Sequence, residues 1–78
     1  MLYDELQIIG QECQNHRRRI NIRQEQVGDE IGYSKQTISQ FENGHNNNLY
    51  IFAWYLMNGL NTDRLKNKIR GCKYGKET

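Results

Sequence analysis

The chain has 78 residues, a formal net charge of +2, no proline and two cysteines. This length allows one small domain with a modest core, and the longest apolar run, of nine residues, is too short to cross a membrane. With no signal-peptide pattern and no metal or disulfide spacing between Cys13 and Cys72, we expect a cytoplasmic protein, not a membrane protein, that binds no metal.

The first predicted helix covers residues 2–19. Leu2, Leu6, Ile9 and Cys13 recur every three or four positions, which is the period of one helix face. Asn21 is expected to end this helix. Cys13 is expected to pack in the core as a small apolar side chain.

A second helix is predicted over 24–31 and a third over 35–43, with a tight turn between them. Gly32 stands where a left-handed backbone is needed, and Ser34 is a good N-cap for the third helix. Val27 and Ile31 lie on one face of the second helix, and Ile38 and Phe41, three positions apart, are expected to point inward from the third. Two short helices joined this way suit the major groove of DNA.

A fourth helix is predicted over 49–58, with Asn48 as its cap and Gly59 as its stop. Thr62 is expected to cap a fifth over 63–70. The last residues, 73–78, lack a core pattern and are predicted to be a loose tail after a single domain at 1–72. The expected fold is therefore all-α, with five helices.

Positive charge is concentrated in two blocks of the sequence. The first contains Arg17, Arg18, Arg19 and Arg23 with no acid between them. The second runs from residue 64 to 76 and contains six Lys or Arg residues. An uneven distribution of this kind favours a protein with one phosphate-facing side.

The chain resembles the XRE-like helix-turn-helix domain of the Cro and phage-repressor type. The resemblance runs from about residue 9 to 65 and is strongest in QEQV at 24–27, IGYS at 31–34 and TISQFENG at 37–44. It implies a compact lambda-repressor-like fold and binding to a double-stranded DNA operator. By this resemblance, the base-reading residues would be Ser34, Lys35, Gln36 and Gln40.

Phosphate contacts are expected from a second group of residues: Arg17, Arg23, Gln24, Thr37 and Asn43. The resemblance places Gln24 at the start of the second helix and Asn43 just after the third, both at positions that touch phosphate. Thr37 could instead offer its methyl group to thymine or be half buried. The resemblance also pairs Arg17 with Glu42, which would fix the recognition helix against the first helix and leave the guanidinium partly available to phosphate.

The fourth helix is apolar or aromatic around its whole circumference, which is more than a domain of this size can cover. We therefore predict a homodimer with Trp54, Tyr55 and Leu60 at or near the contact. The alternative is a monomer in which these aromatic residues pack beneath the first and fifth helices.

No catalytic set, phosphate-binding loop or cofactor motif is present, so we expect neither an enzyme nor a cofactor. The predicted function is transcriptional regulation in a bacterium, phage or mobile element. Repression is preferred to activation, because the sequence shows no extra surface for a second domain. Two alternatives stay open. One is an antitoxin-type regulator with a protein partner, and the other is an adaptor or antirepressor that docks through the fourth helix and does not bind DNA.

Overall fold

The computed structural model describes residues 2–73, and this part of the chain contains five helices and no strand. The helices are α1 (Leu2–Arg19), α2 (Gln24–Ile31), α3 (Lys35–Glu42), α4 (Leu49–Met57) and α5 (Thr62–Lys73). The predicted all-α class is confirmed. None of these helices combines the length and the apolar character that spanning a bilayer requires.

Short polar side chains and one glycine set the helix ends as predicted. Ser34 Oγ accepts the Thr37 backbone N–H at 3.2 Å, and Asn48 Oδ1 accepts the Tyr50 backbone N–H at 2.8 Å. Gly32 ends α2 with a φ of 82°, in the left-handed region. These local contacts end α2 and begin α3 and α4.

The predicted start of α5 needs a correction. Asn61 Oδ1 accepts the Arg64 backbone N–H at 2.9 Å, so Asn61 caps this helix and Thr62 is its first residue. The helix also continues to Lys73, beyond the predicted end at residue 70. The rest of the predicted tail, 74–78, lies outside the described residues.

One core cluster joins the five helices. It contains Cys13, Val27, Ile38, Phe41, Ile51, Trp54, Tyr55, Leu60 and Leu65. Helix α1 packs against α3, α4 and α5, and α2 packs against α3 and α4. Because Ile38 and Phe41 face this core, the opposite side of α3 faces solvent.

A buried carboxylate attaches α5 to α1. Glu12 is 2% exposed, and it accepts a hydrogen bond from Lys68 Nζ at 2.5 Å and pairs with Arg64 Nε at 3.4 Å. Two cations of the second basic block, Arg64 and Lys68, therefore connect α5 to α1.

Helices α1 and α3 meet backbone to backbone at Gly10. A Cβ at this position would lie 2.5 Å from the carbonyl oxygens of both Phe41 and Glu42. Real side-chain carbons do not approach backbone atoms this closely, so any other residue would push α3 away from α1.

We expect Gly10→Ala to lower the free energy of unfolding by about 1–3 kcal/mol, because overpacking costs more than the better helix propensity of alanine gains. Urea unfolding followed by circular dichroism measures this change. Gly71→Ala is the matched control, because a Cβ there meets no atom within 4 Å. The free energy of unfolding of Gly71→Ala should be equal to or higher than that of the wild type. A stabilising Gly10→Ala would show that the two helices are not in tight contact.

Candidate nucleic-acid interface

The outward face of α3 is polar. Ser34, Lys35, Gln36 and Gln40, the four residues expected to read bases, are all exposed. Ser34 also serves as the N-cap of the helix. None of these four side chains is required to fill the core, so all of them lie on a surface that a DNA groove can reach.

Arg17 and Glu42, the residues of the expected ion pair, are in direct contact. Arg17 Nε donates to Glu42 Oε2 at 2.7 Å and Arg17 Nη2 donates to Oε1 at 3.1 Å. A third guanidinium bond, from Nη1, reaches the carbonyl oxygen of Ile22 at 2.9 Å. Hydrogen bonding to Glu42 raises the pKa of Arg17 above its ordinary value.

Two further helices donate to the same carboxylate. Gln24 Nε2, at the start of α2, donates to Glu42 Oε1 at 2.9 Å, and the Tyr55 hydroxyl of α4 donates to Oε2. Glu42 has no exposed side-chain surface. Burial, and then the bond to Glu42, raise the pKa of Tyr55. The last residue of α3 is therefore held by three other helices.

These contacts change what is expected of Arg17. The residue is only 8% exposed, and three guanidinium N–H groups are committed to Glu42 and Ile22. Arg17 therefore positions α3, and little of its guanidinium is left for a phosphate. Gln24 has one N–H committed to Glu42 and keeps a second donor on the same nitrogen.

The other expected phosphate residues differ in how much they face solvent. Arg23 is exposed, and its backbone N–H donates to Gln26 Oε1 at 2.8 Å, which closes the first turn of α2. Asn43 is exposed, and its Nδ2 donates to the Ser39 carbonyl oxygen at 2.9 Å. Thr37 is half buried, and its hydroxyl forms a hydrogen bond with the Ser34 hydroxyl, with 3.0 Å between the two oxygens.

A shallow depression brings part of this set together between α1, α2 and the start of α3. Its lining residues are Gln14, Arg17, Arg18, Arg23, Gln24, Glu25 and Lys35. Gln14 was not singled out from the sequence, and Arg18 was named there only as a member of the first basic block. Their spacing of four on a helix that ends in arginines was the available signal, because such residues share one face.

The residues expected near a dimer contact, which are Trp54 and Tyr55 of α4 and Leu60 just after it, are buried in the chain's own core. Tyr55 is 0%, Trp54 6% and Leu60 7% exposed, because all three belong to the core cluster. Trp54 Nε1 also donates to Glu30 Oε1 at 2.7 Å, which fixes the indole against α2. The large apolar residues of α4 that face solvent are Leu49, Tyr50, Leu56 and Met57.

The part of the chain that the structure describes contains no group of three or more His, Cys, Asp or Glu side chains arranged to hold a metal ion. Cys13 is a fully buried thiol, as predicted for a core residue. Its pKa is raised, chiefly by burial, so it is not a reactive thiolate in the folded protein.

Comparison with known proteins agrees with this geometry. A family model described as helix-turn-helix matches residues 15–47, which include the end of α1, all of α2 and α3, and the loop that follows. Neither the curated proteins nor the solved structures contain a match. The matched segment includes Arg17, Gln24 and the whole outward face of α3. Residues 15–47 are therefore similar to a helix-turn-helix domain.

Proposed function

We propose that the protein is a sequence-specific regulator of transcription, acting in the cytoplasm as a repressor, and that α3 reads its operator. One observation carries this proposal. The outward face of α3 is polar and takes no part in the core, while the inward face is anchored by Ile38, Phe41 and Glu42. A rigid helix with a free polar face is what groove recognition requires.

The chemistry of the exposed side chains fits base edges. Gln36 and Gln40 each carry a donor and an acceptor, so each can pair with N6 and N7 of adenine. Lys35 can donate to O6 and N7 of guanine. Ser34 is placed at the first turn, where recognition helices approach the groove floor.

The depression beside α3 is the proposed phosphate surface. Arg18, Arg23 and Lys35 supply positive charge there, and the second N–H of Gln24 supplies a donor. Thr37 and Asn43 lie on α3 or at its end, where they would contact the backbone at the groove edges. Each neutralised phosphate adds about −0.9 to the slope of log affinity against log salt.

The exposed apolar residues of α4 support a homodimer. Met57 is 85%, Leu49 77% and Tyr50 74% exposed, and they lie on one short helix. A second copy of the chain would cover this face and present two recognition helices to successive major grooves, about 34 Å apart. A protein bound across a promoter in this way blocks polymerase and acts as a repressor.

A second candidate function uses the same face of α4. An adaptor, an antirepressor or an antitoxin-type regulator would dock a different protein on Leu49, Tyr50 and Met57. Only the adaptor and antirepressor alternatives dispense with DNA binding. The exposed polar face of α3 has no role in either of them, which is why we favour the operator-binding regulator.

Selection of binding sites from random DNA duplexes tests the proposal. We expect enrichment of a short inverted repeat, with half-sites centred about one helical turn apart and with affinity that falls steeply as salt rises. Enrichment of a single asymmetric half-site would argue for a monomer. If no sequence is enriched at modest salt, the adaptor candidate replaces the regulator.

A further inference from the structure

We propose that Tyr55 is a positioning residue for DNA binding, and that its buried hydroxyl orients the Glu42 carboxylate so that Gln24 is held at the phosphate surface. This inference rests on the proposed function. Tyr55 lies on α4, outside the segment that the family model matches. It has no exposed surface of its own with which to contact DNA.

The Glu42 carboxylate has two acceptor positions on each oxygen, and the structure fills all four. Arg17 occupies one position on each oxygen through its Nε and Nη2 atoms. The Tyr55 hydroxyl occupies the second position on Oε2. Gln24 Nε2 occupies the second position on Oε1. The donors therefore come from α1, α2 and α4, while the acceptor belongs to α3.

Tyr55 decides which oxygen Gln24 can use. The guanidinium fork of Arg17 fixes the plane of the carboxylate but leaves both oxygens open to one more donor. Because the tyrosine hydroxyl takes the open position on Oε2, only Oε1 is available to Gln24. The carboxylate is thus held in one orientation and presents one oxygen to α2.

The hydroxyl itself is rigidly placed. The Tyr55 ring stacks on Phe41, with centroids 6.0 Å apart, and meets the Trp54 ring edge-on at 5.1 Å. Both neighbours are core residues. A ring packed on two sides has no freedom to move its hydroxyl, so the hydroxyl is a fixed reference point for Glu42.

Gln24 carries this effect to the surface. Its side chain lines the depression that also contains Arg23 and Lys35. With one N–H bonded to Glu42, the other N–H of the same group is directed away from the carboxylate and is available to a phosphate oxygen. Removing the Tyr55 hydroxyl would open the second position on Oε2, so that Gln24 could donate to either oxygen and would no longer be held in one position.

The test compares operator binding by wild type, Tyr55→Phe and Ile51→Val at a temperature where circular dichroism shows all three to be folded. Ile51 is the matched control, because it lies fully buried on the same helix and its truncation also weakens the core. We expect Tyr55→Phe to weaken binding about tenfold, as the loss of a hydrogen bond to a charged group implies. Ile51→Val should change binding less than about twofold.

The Gln24→Ala background separates positioning from general destabilisation. If the hydroxyl acts through Gln24, Tyr55→Phe has no further effect on affinity once Gln24 is absent. A merely structural tyrosine would give the same loss in both backgrounds, and that result overturns the inference. Equal affinities of wild type and Tyr55→Phe also overturn it while leaving the proposed function intact.

Two outcomes concern folding and function rather than positioning. If Tyr55→Phe is unfolded in the assay, all variants are measured in trimethylamine N-oxide, which favours compact states. The same comparison of affinities then tests the positioning role of Tyr55. If the wild-type protein itself enriches no DNA sequence, the proposed function fails and the inference falls with it.

Discussion

Replacing Arg17 with methionine should lower the free energy of unfolding by about 3–5 kcal/mol, because it leaves the buried Glu42 carboxylate without its positive partner. Glu42 has no exposed side-chain surface, so water cannot take the place of the guanidinium. Gln24 and Tyr55 still donate hydrogen bonds, but neither carries charge. A domain of this size has a total stability of about 5 kcal/mol, so about 0–2 kcal/mol should remain and up to about half of the molecules should be unfolded.

Urea unfolding followed by circular dichroism measures this loss, and Arg18→Met is the matched control. Arg18 is the next residue of the same helix but is exposed, so its replacement should change stability by no more than about 0.5 kcal/mol. DNA binding by Arg17→Met should fall on every sequence, because fewer molecules are folded. Equal stability of the two variants would show that Arg17 does not hold α3 in place.

Replacing Gln36 with alanine should remove discrimination at one base step of the operator while leaving the fold intact. A bidentate contact to a base is worth about 1–3 kcal/mol, which corresponds to a roughly 5- to 150-fold preference against the wrong base. Gln36 is exposed, so stability should change by less than about 0.5 kcal/mol. Repeating the selection from random duplexes with this variant measures the preference at each position.

Asn67→Ala serves as the control for that experiment. Asn67 is an exposed amide on α5, a helix that packs on α1 and not on the recognition face. Its replacement should leave the selected sequence unchanged. An unchanged selection from Gln36→Ala would mean that this side chain reads no base, and the base-reading role would then rest on Lys35 and Gln40.

The helices could be predicted from the sequence because their signals are local. Ser34 and Asn48 satisfy backbone donors within three residues of themselves, and Gly32 adopts a left-handed φ of 82° that few other residues accept. The inward direction of Ile38 and Phe41 followed from their spacing of three. Such signals depend on nearest neighbours along the chain and not on how distant helices cross.

The orientation of α4 could not be predicted in this way. Its nine residues are apolar on every side, so periodicity does not tell which face is buried. Tyr55 points inward, where its hydroxyl donates a hydrogen bond to Glu42, a residue 13 positions earlier in the chain. Trp54, Tyr55 and Leu60, the residues expected near a dimer contact, are core residues, whereas the large exposed side chains of α4 are those of Leu49, Tyr50, Leu56 and Met57.

Contacts between residues far apart in the chain could also not be predicted from the sequence. The bond from Lys68 to Glu12 joins residues 56 positions apart, and nothing in the basic block shows which of its members is paired. The close approach of α1 and α3 at Gly10 could not be predicted either. The sequence does not show whether a glycine within a helix is required for tight packing or could be replaced by a larger residue.

The backbone contact at Gly10 has a consequence for how new binding preferences arise. Since α3 rests against α1 through main-chain atoms of Phe41 and Glu42, its attachment is independent of the side chains at positions 35, 36 and 40. Those three positions are therefore open to exchange. Under the proposed function, replacing these three side chains together would change the DNA sequence that is bound while leaving the contact between α1 and α3 unchanged.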